Sequence, residues 1–371
     1  ATPDRGDYAV KVLAAVQTLF AHLLGSELDS YRPAEFWKVF NFKPNGESVN
    51  VREQQDAVEF HNMVTELIDE GLKKCSIDPM CERTFRGVFA DEKICKDCPH
   101  RYTKEEAFES LSLDVRSHNN LRDSLKEYVK GDVLENDNAY HCELCNKKVK
   151  AIKRLSLSKL PEVLIVQLKR FDFDWEKECS IKFNDYFEFP FELDIQSYTV
   201  EGLEKLEKGI TLENIKDYQY VLRGVVVHSG QAQGGHYTSY IRNRETGKWY
   251  KFDDNDVSQW EASEHGAQQR WFGCADNGVD SMGRPRRKMR TTYWNAYMLF
   301  YEKLETANRY LCVNPSSVTS DMSTSSGVSS IVSFTTVARP IDNVASYCNG
   351  RHLISPSISP FVSSINGTSL S

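Results

Sequence analysis

The sequence has no surplus of positive charge, and that removes one broad class of partner at the outset. A formal net charge of -7 over 371 residues gives no general attraction for nucleic acid or an anionic membrane, both of which need a cationic surface. Long apolar runs are also missing: none approaches the roughly 20 residues that span a bilayer, so no membrane segment is expected. Ten cysteines are too few to staple a chain this long by disulfides. Four of them stand in two Cys-x-x-Cys pairs of the kind that bind metal in a reducing compartment, so cytosol or nucleus is the expected location. The opening ATPDRGDY has neither an initial Met nor the basic and apolar layout of a secretion signal, and reads as a cut edge. There is no fixed-period repeat.

What the sequence does have is enough apolar material, 40% hydrophobic and 11% aromatic residues, to bury a large core or two. The first ninety residues read as helical. Val12, Val16, Leu19 and Leu23 recur at helical spacing between Tyr8 and Leu24, and Tyr31 to Phe40 supplies aromatics to pack beneath. A second helix is predicted from Val51 to Leu72, where Val58, Met63, Leu67 and Ile68, with Ala57, Phe60 and Val64, make a broad apolar stripe with one polar edge.

After Cys81 the character changes to short β-rich segments, RTFRGVFADEKI and AFESLSLDVR, interrupted by one predicted helix, LRDSLKEYVKG. Val163 to Leu168 is a near-continuous apolar run and suits a strand buried on both faces. Further strands are expected at YQYVLRGVVVHS, HYTSYIRN, KWYKFDD and NAYMLFYEKL, the middle two joined as a hairpin through RETG. Strands gathered after a helical lobe indicate an α+β protein. Gln259 to Arg290, with its basic run RPRRKMR, reads as a loop. The Ser/Thr-rich tail over 307–371 reads as disordered.

Two groups of residues carry chemistry. In VHSGQAQGGHYTSYIRNRETGKWYKFDD, His236 and Asp253 are the base and orienting carboxylate that a thiol hydrolase needs: the acid holds one ring nitrogen so that the other can take a thiol proton. His228 is a second candidate base, although its place at the end of an apolar strand favours a structural hydrogen bond. Cys95 and Cys98 in CKDC, with Cys142 and Cys145 in CELC, supply the four thiolates of a structural zinc site. A pair of redox or incidental dithiols is the alternative. His100 and His141 adjoin these pairs and are expected to be bystanders, since four sulfurs already close the shell. None of the other six cysteines has the context of a nucleophile, a small-residue turn leading into a helix start.

These motifs occur in a recognisable order. VREQQDAVEF, the two cysteine pairs, LPEVLIVQLKRFDFD, and HSGQAQGGHYTSY followed by WYKFDDNDV together resemble the ubiquitin-specific protease catalytic domain. CPHRYTKEEAFESL, NAYHCELCNKKV, IKFNDYFEFPFELD and YWNAYMLFYE are similar to its very large members related to fat facets. The likeness runs from Tyr8 to Leu304. It implies a papain-like cysteine protease of that type, a right hand in which 1–90 is a partial thumb, 91–154 the zinc-binding fingers and 155–306 the palm, with residues 1–306 forming the catalytic domain. It implies ubiquitin and ubiquitinated proteins as partners. It makes His236 the general base, Asp253 its acid and Asp254 a second contributor. Gln55, Asp56 and Glu59 would lie near the channel for the basic ubiquitin tail, where carboxylates suit an arginine-bearing peptide; the plain alternative is a solvated helix edge. Gly234 and Gly235 would let the backbone pass close to the substrate's own glycines, or form a simple β-turn. The family's opening Gly-Asn-Thr-Cys turn is absent, which removes the nucleophile and a nearby oxyanion donor. The expectation is therefore a deubiquitinase domain inactive as it stands. A natural binder of ubiquitin that does not cleave it is the alternative. Reading RPRRKMR as a nuclear or nucleic-acid signal is opposed by the acidic net charge.

Overall fold

The computed structural model describes residues 5–26, 31–40, 55–263, 266–267, 270–273 and 293–306. The first residues of the predicted second helix, the RPRRKMR run and the 307–371 tail lie outside the described residues. Two compact units are present: Ala1–Cys81 with Ile241–Trp260 and Thr306–Ser371 form one, and Glu82–Tyr240 with Glu261–Glu305 form the other.

In the first unit the apolar spacing produces α1 (Arg5–Gly25), which buries Ala9, Val12, Leu13, Val16 and Leu19. A short α2 (Ala34–Val39) follows, and then α3 (Ala57–Lys74), whose apolar stripe from Ala57 to Leu72 is buried. α1 and α3 pack closely because Gly71 has no side chain; a Cβ there would sit 2.8 Å from the Ala9 carbonyl oxygen. Phe36 and Phe40 are buried, and the Phe40 ring meets Phe60 of α3 edge-on at 5.4 Å. α3 begins at Ala57, where its apolar stripe begins, rather than at the predicted Val51, because the Asp56 side chain caps it and accepts from the Val58 and Glu59 amides. By length and composition alone α1 could cross a membrane, which corrects the expectation that no stretch approaches a span. Its buried face and the ion pairs of Arg5 with Glu66 and Glu70 make it a core helix of this unit.

The second unit opens with α4 (Met80–Phe85, shared with the first at Cys81) and then turns to sheet. Strands β1 (Gly87–Cys95) and β2 (Arg101–Phe108) form an antiparallel hairpin. A short β3 (Leu111–Leu113) leads to α5 (Leu121–Lys130), as predicted. β4 (Asp132–Leu134), the small hairpin β5 (Tyr140–Cys142) with β6 (Lys147–Val149), and β7 (Ala151–Lys159) follow, giving a four-stranded sheet of order β2-β1-β7-β4. β1 is tied to α6 (Val200–Glu207) through charge. The buried Glu92 accepts from Arg154 at 3.0 Å, Ser156 at 2.8 Å and Arg101 at 2.8 Å, and Arg101 and Arg154 pair in turn with Glu204 and Glu207 of α6.

The apolar run Val163–Leu168 is β8, buried as expected because it lies inside a larger sheet, between β3 and β16 (Trp294–Lys303). β8 is parallel to β3 and antiparallel to β16, and β16 pairs antiparallel with β12 (Gln219–Gln231). β9 (Phe171–Asp174) and β10 (Cys179–Lys182) make a separate hairpin, and β11 (Glu192–Asp194) lies along β12. β13 (Gly234–Arg242) carries the chain from the second unit into the first. There a turn at Asn243, whose side chain accepts from the Glu245 and Thr246 amides, leads to the antiparallel pair β14 (Trp249–Asp253) and β15 (Asp256–Trp260). β15 corrects the reading of Gln259 onward as loop. The segment also returns to a buried anchor in the second unit, where Trp271 stacks on Phe189 at 5.9 Å and its carbonyl accepts from Ala296. Composition hid this because two aromatic residues, rather than a periodic stripe, supply the burial.

Candidate functional site

His236 stands in the second unit as the third residue of β13, half-buried. Its backbone carbonyl accepts from the Ser229 hydroxyl at 3.2 Å, which ties the start of β13 to the end of β12. The two glycines before it have different reasons to be glycine. A Cβ on Gly234 would meet nothing within 4 Å, whereas one on Gly235 would lie 2.0 Å from the Ser229 carbonyl oxygen and 2.6 Å from His228 Nε2. Gly235 is therefore required by the protein's own packing, before any substrate is considered.

His228 lies beneath Gly235, 2% exposed, with its ring edge-on to Phe171 at 5.0 Å and Tyr237 at 4.9 Å. Burial pushes its imidazole down to about 3, and the charges of Lys182 and His236 act in the same direction. A ring that stays neutral and has its Nδ1 without a partner among the described residues is a packing element. A general base needs an affinity for protons near the working pH. The structural hydrogen bond expected of His228 is not made through Nδ1; aromatic packing holds the ring instead.

The acids lie in the first unit. Asp253 ends β14, half-exposed, and its Oδ2 accepts from Lys251 Nζ at 2.6 Å, two residues earlier on the same face of the strand. Asp254 follows in the β14–β15 turn with φ 53, a left-handed conformation that Asp tolerates better than most residues. Asp56 is the cap of α3, Gln55 precedes it, and Glu59 projects into solvent from the first turn. The three polar residues thus gather at one helix start, an end that favours negative charge.

The metal candidates converge within the second unit. Cys98, His100, Cys142 and Cys145 place one donor atom each within 4.8 Å of all the others. The Cys98 and Cys142 sulfurs are 3.8 Å apart, and His100 Nδ1 is 3.4 Å from Cys142 and 3.3 Å from Cys145. Around a tetrahedral zinc with bonds of about 2.3 Å to sulfur and about 2.0 Å to nitrogen, sulfur–sulfur edges are about 3.8 Å and sulfur–nitrogen edges about 3.5 Å. The donor set fits such an ion in both identity and spacing. Tyr102 supports it, because its hydroxyl lies 3.3 Å from the Cys142 sulfur and accepts from the Leu144 amide. The hydrogen bond to Tyr102 is the first cause that draws Cys142 down to about 5, whereas burial pushes Cys145 up to about 11. Cys95 borders this group at the end of β1, buried with Cys142 and Val149 and with its thiol hydrogen-bonded to Cys98 and Cys142. His100, read from spacing as a bystander, places its Nδ1 among the three sulfurs and is a further candidate donor beside Cys95. Spacing could not distinguish them because His100 lies only two residues beyond Cys98, and the turn into β2 decides which donor faces inward.

Residues 2–301 match the family described as ubiquitin carboxyl-terminal hydrolase. The chain belongs to this family. Ubiquitin carboxyl-terminal hydrolase 9X of Mus musculus is 48% identical over 328 residues, covering 82% of this chain and 13% of that protein. The probable ubiquitin carboxyl-terminal hydrolase FAF of Drosophila melanogaster is 48% identical over 319 residues, covering 81% and 11%. Human ubiquitin carboxyl-terminal hydrolase 24 is 41% identical over 318 residues, covering 80% and 12%. The chain thus spans a small fraction of the length of the relatives it matches, and its α+β fold is that of the papain-like ubiquitin-specific protease domain.

Family members are cysteine peptidases, so the placement of the remaining cysteines matters. Cys75 caps the C-terminal end of α3 and is exposed. Cys81 is buried, its amide donating to the Asp69 carboxylate, and Cys179 opens β10. Cys274, Cys312 and Cys348 lie outside the described residues.

Proposed function

We propose that this chain is the greater part of the catalytic domain of a deubiquitinase, which hydrolyses the bond after the C-terminal glycine of ubiquitin and removes ubiquitin from protein conjugates. The observation that carries the reading is the family match over residues 2–301, a span that contains both the HYTSY and the WYKFDD motifs. In this reading His236 takes the proton of a thiol and returns it to the leaving amine, Asp253 orients the imidazole, and Asp254 contributes to the same charge. Gln55, Asp56 and Glu59 receive the basic tail of ubiquitin, and Gly234 and Gly235 border its path. Residues 1–90 serve as thumb, 91–154 as fingers and 155–306 as palm. Cys98, His100, Cys142 and Cys145 hold one structural zinc, which closes its own coordination shell and stabilises the fingers without taking part in the chemistry. The protein works in the cytosol or nucleus, with neither nucleic acid nor membrane among its partners.

In this reading the Gly-Asn-Thr-Cys turn is missing from residues 1–371, so the polypeptide alone binds ubiquitin and cleaves nothing. One observation favours a second reading, a binder that never cleaves: among the described cysteines outside the metal cluster, Cys75 stands at the C-terminal end of α3, Cys81 is buried and Cys179 opens a strand, and none begins a helix as a small-residue turn would. Extending the chain with its native upstream residues separates the two. If a Gly-Asn-Thr-Cys-type turn is restored, a ubiquitin C-terminal fluorogenic reporter is cleaved, and His236→Ala reduces kcat by about 10²–10⁴-fold, the usual contribution of a positioned base. Cleavage that persists in His236→Ala removes the assigned base. An extended chain that binds ubiquitin without turnover supports the second reading.

A further inference from the structure

We propose that Lys182 is a positioning residue for the reaction: from β10 it clamps the glycine-rich connection ahead of His236 and so fixes where the imidazole stands. The proposal rests on the reading of His236 as the base. Lys182 Nζ donates to three backbone carbonyls, those of His228 at 2.9 Å, Gly230 at 3.3 Å and Tyr293 at 2.8 Å. An ammonium has three donors and no acceptor, so this side chain is fully used in joining the end of β12 to the start of β16. The Gly230 amide donates to the same Tyr293 carbonyl at 2.9 Å, which fastens the connection a second time.

What is held there bears directly on His236. Gly230 has φ 111, and a Cβ on it would lie 2.6 Å from the Gly235 Cα, so the two arms of the connection touch. Ser229 lies between the two carbonyls nearest the clamp in sequence, and its hydroxyl donates to the His236 carbonyl. Farther out, Gln233 Nε2 donates to the Ser180 carbonyl at 2.9 Å, so β10 grips the connection at its tip as well as its root. Cost points the same way. Burial and the charge of the buried Arg170 push Lys182 down to about 7, so near neutral pH the side chain is divided between the amine, with two donors, and the ammonium, with the three that the carbonyls accept, and either form is more costly to bury than an apolar chain of equal length. Space-filling alone does not account for it, whereas three converging carbonyls do.

The test uses the full 371-residue chain and two readouts that need no cleavage: amide hydrogen exchange, and NMR of ¹³C-labelled histidine with the His236 signal assigned through His236→Ala. In Lys182→Met, exchange over residues 229–236 is expected to rise about tenfold or more, as for a segment released to local opening. The His236 ring signal shifts or broadens, β8 keeps its protection, and Lys182→Arg recovers part of both effects. Gln233→Ala loosens only the tip, with a smaller change. If Lys182→Met does not fold, Lys182→Gln, which keeps fewer donors, carries the same readouts. An unchanged His236 signal with unchanged exchange overturns the proposal. So does a uniform rise across β8 and β16, which would make Lys182 a general support of the fold. In a chain supplied with its thiol, Lys182→Met lowers kcat about tenfold with KM within about twofold, the pattern of an interaction realised in the transition state. Failure of the base assignment shows up separately, as cleavage that survives His236→Ala while the loop readouts still respond to Lys182.

Discussion

His228 and Gly235 illustrate how a single position can be set by what lies directly against it. The His228 ring is held neutral by burial, from its ordinary 6.5 down to about 3. As pH falls the unfolded chain takes up this proton first, so stability tied to the group is present above pH 6.5 and declines toward pH 3. At pH 4.5 the loss is about 2–3 kcal/mol at 1.36 kcal/mol per unit. Urea titrations of wild type and His228→Gln at pH 7 and pH 4.5 check this; equal pH dependence in both would exclude His228 as its source. Gly235 gives a sharper contrast, since its Cβ would overlap the Ser229 carbonyl while that of Gly234 meets open space. Gly235→Ala is expected to cost about 1–3 kcal/mol as an overpacked site, and Gly234→Ala to stay within about 0.5 kcal/mol. Thermal melts of the two variants decide it.

At the scale of elements, charge joins strands to a helix where apolar burial does not. β1 and β7 are joined to α6 around Glu92, 1% exposed. Burial raises its proton affinity, but hydrogen bonds from Ser156 and Arg154 and the charges of Arg154 and Arg101 win, so it stays below the ordinary carboxylate value. Glu92→Gln leaves the buried Arg154 with only the half-exposed Glu207 as counter-charge, and about 1–3 kcal/mol of stability should be lost, measured by denaturant midpoint; an unchanged midpoint would mean that Glu207 alone suffices. The β5–β6 hairpin buries little except Cys142 and Val149, so in the proposed reading a metal at Cys98, His100, Cys142 and Cys145 would be its main support. Elemental analysis should find about one zinc per chain, and chelation should lower the melting temperature, as expected for a structural site. His100→Ala should release the metal and Cys95→Ser should retain it. The reverse pattern restores the four-sulfur site.

For the whole molecule, the α+β class was legible from the change in pattern near Cys81, and the order of motifs was enough to indicate the family. Periodicity located α1, α5 and β8 because each depends on which face is buried, a property that local sequence records. The start of α3 was placed too early, at Val51, because the polar residues before Ala57 are compatible with a helix until the Asp56 side chain caps it. Periodicity also missed β15 and the Trp271 anchor, whose burial is supplied by residues distant in the chain. The candidate site divides in the same way. His236, Asp253 and the cysteine pairs were named from residue type and spacing, which record the atoms that a chemistry demands at short range along the chain. That His100 faces the thiols, that His228 is a neutral packing ring, and that Lys182 gathers three carbonyls from β12 and β16 were decided only by the tertiary structure. Each depends on the direction of a side chain and on desolvation by distant segments, and neither is encoded in the spacing of residues along the chain.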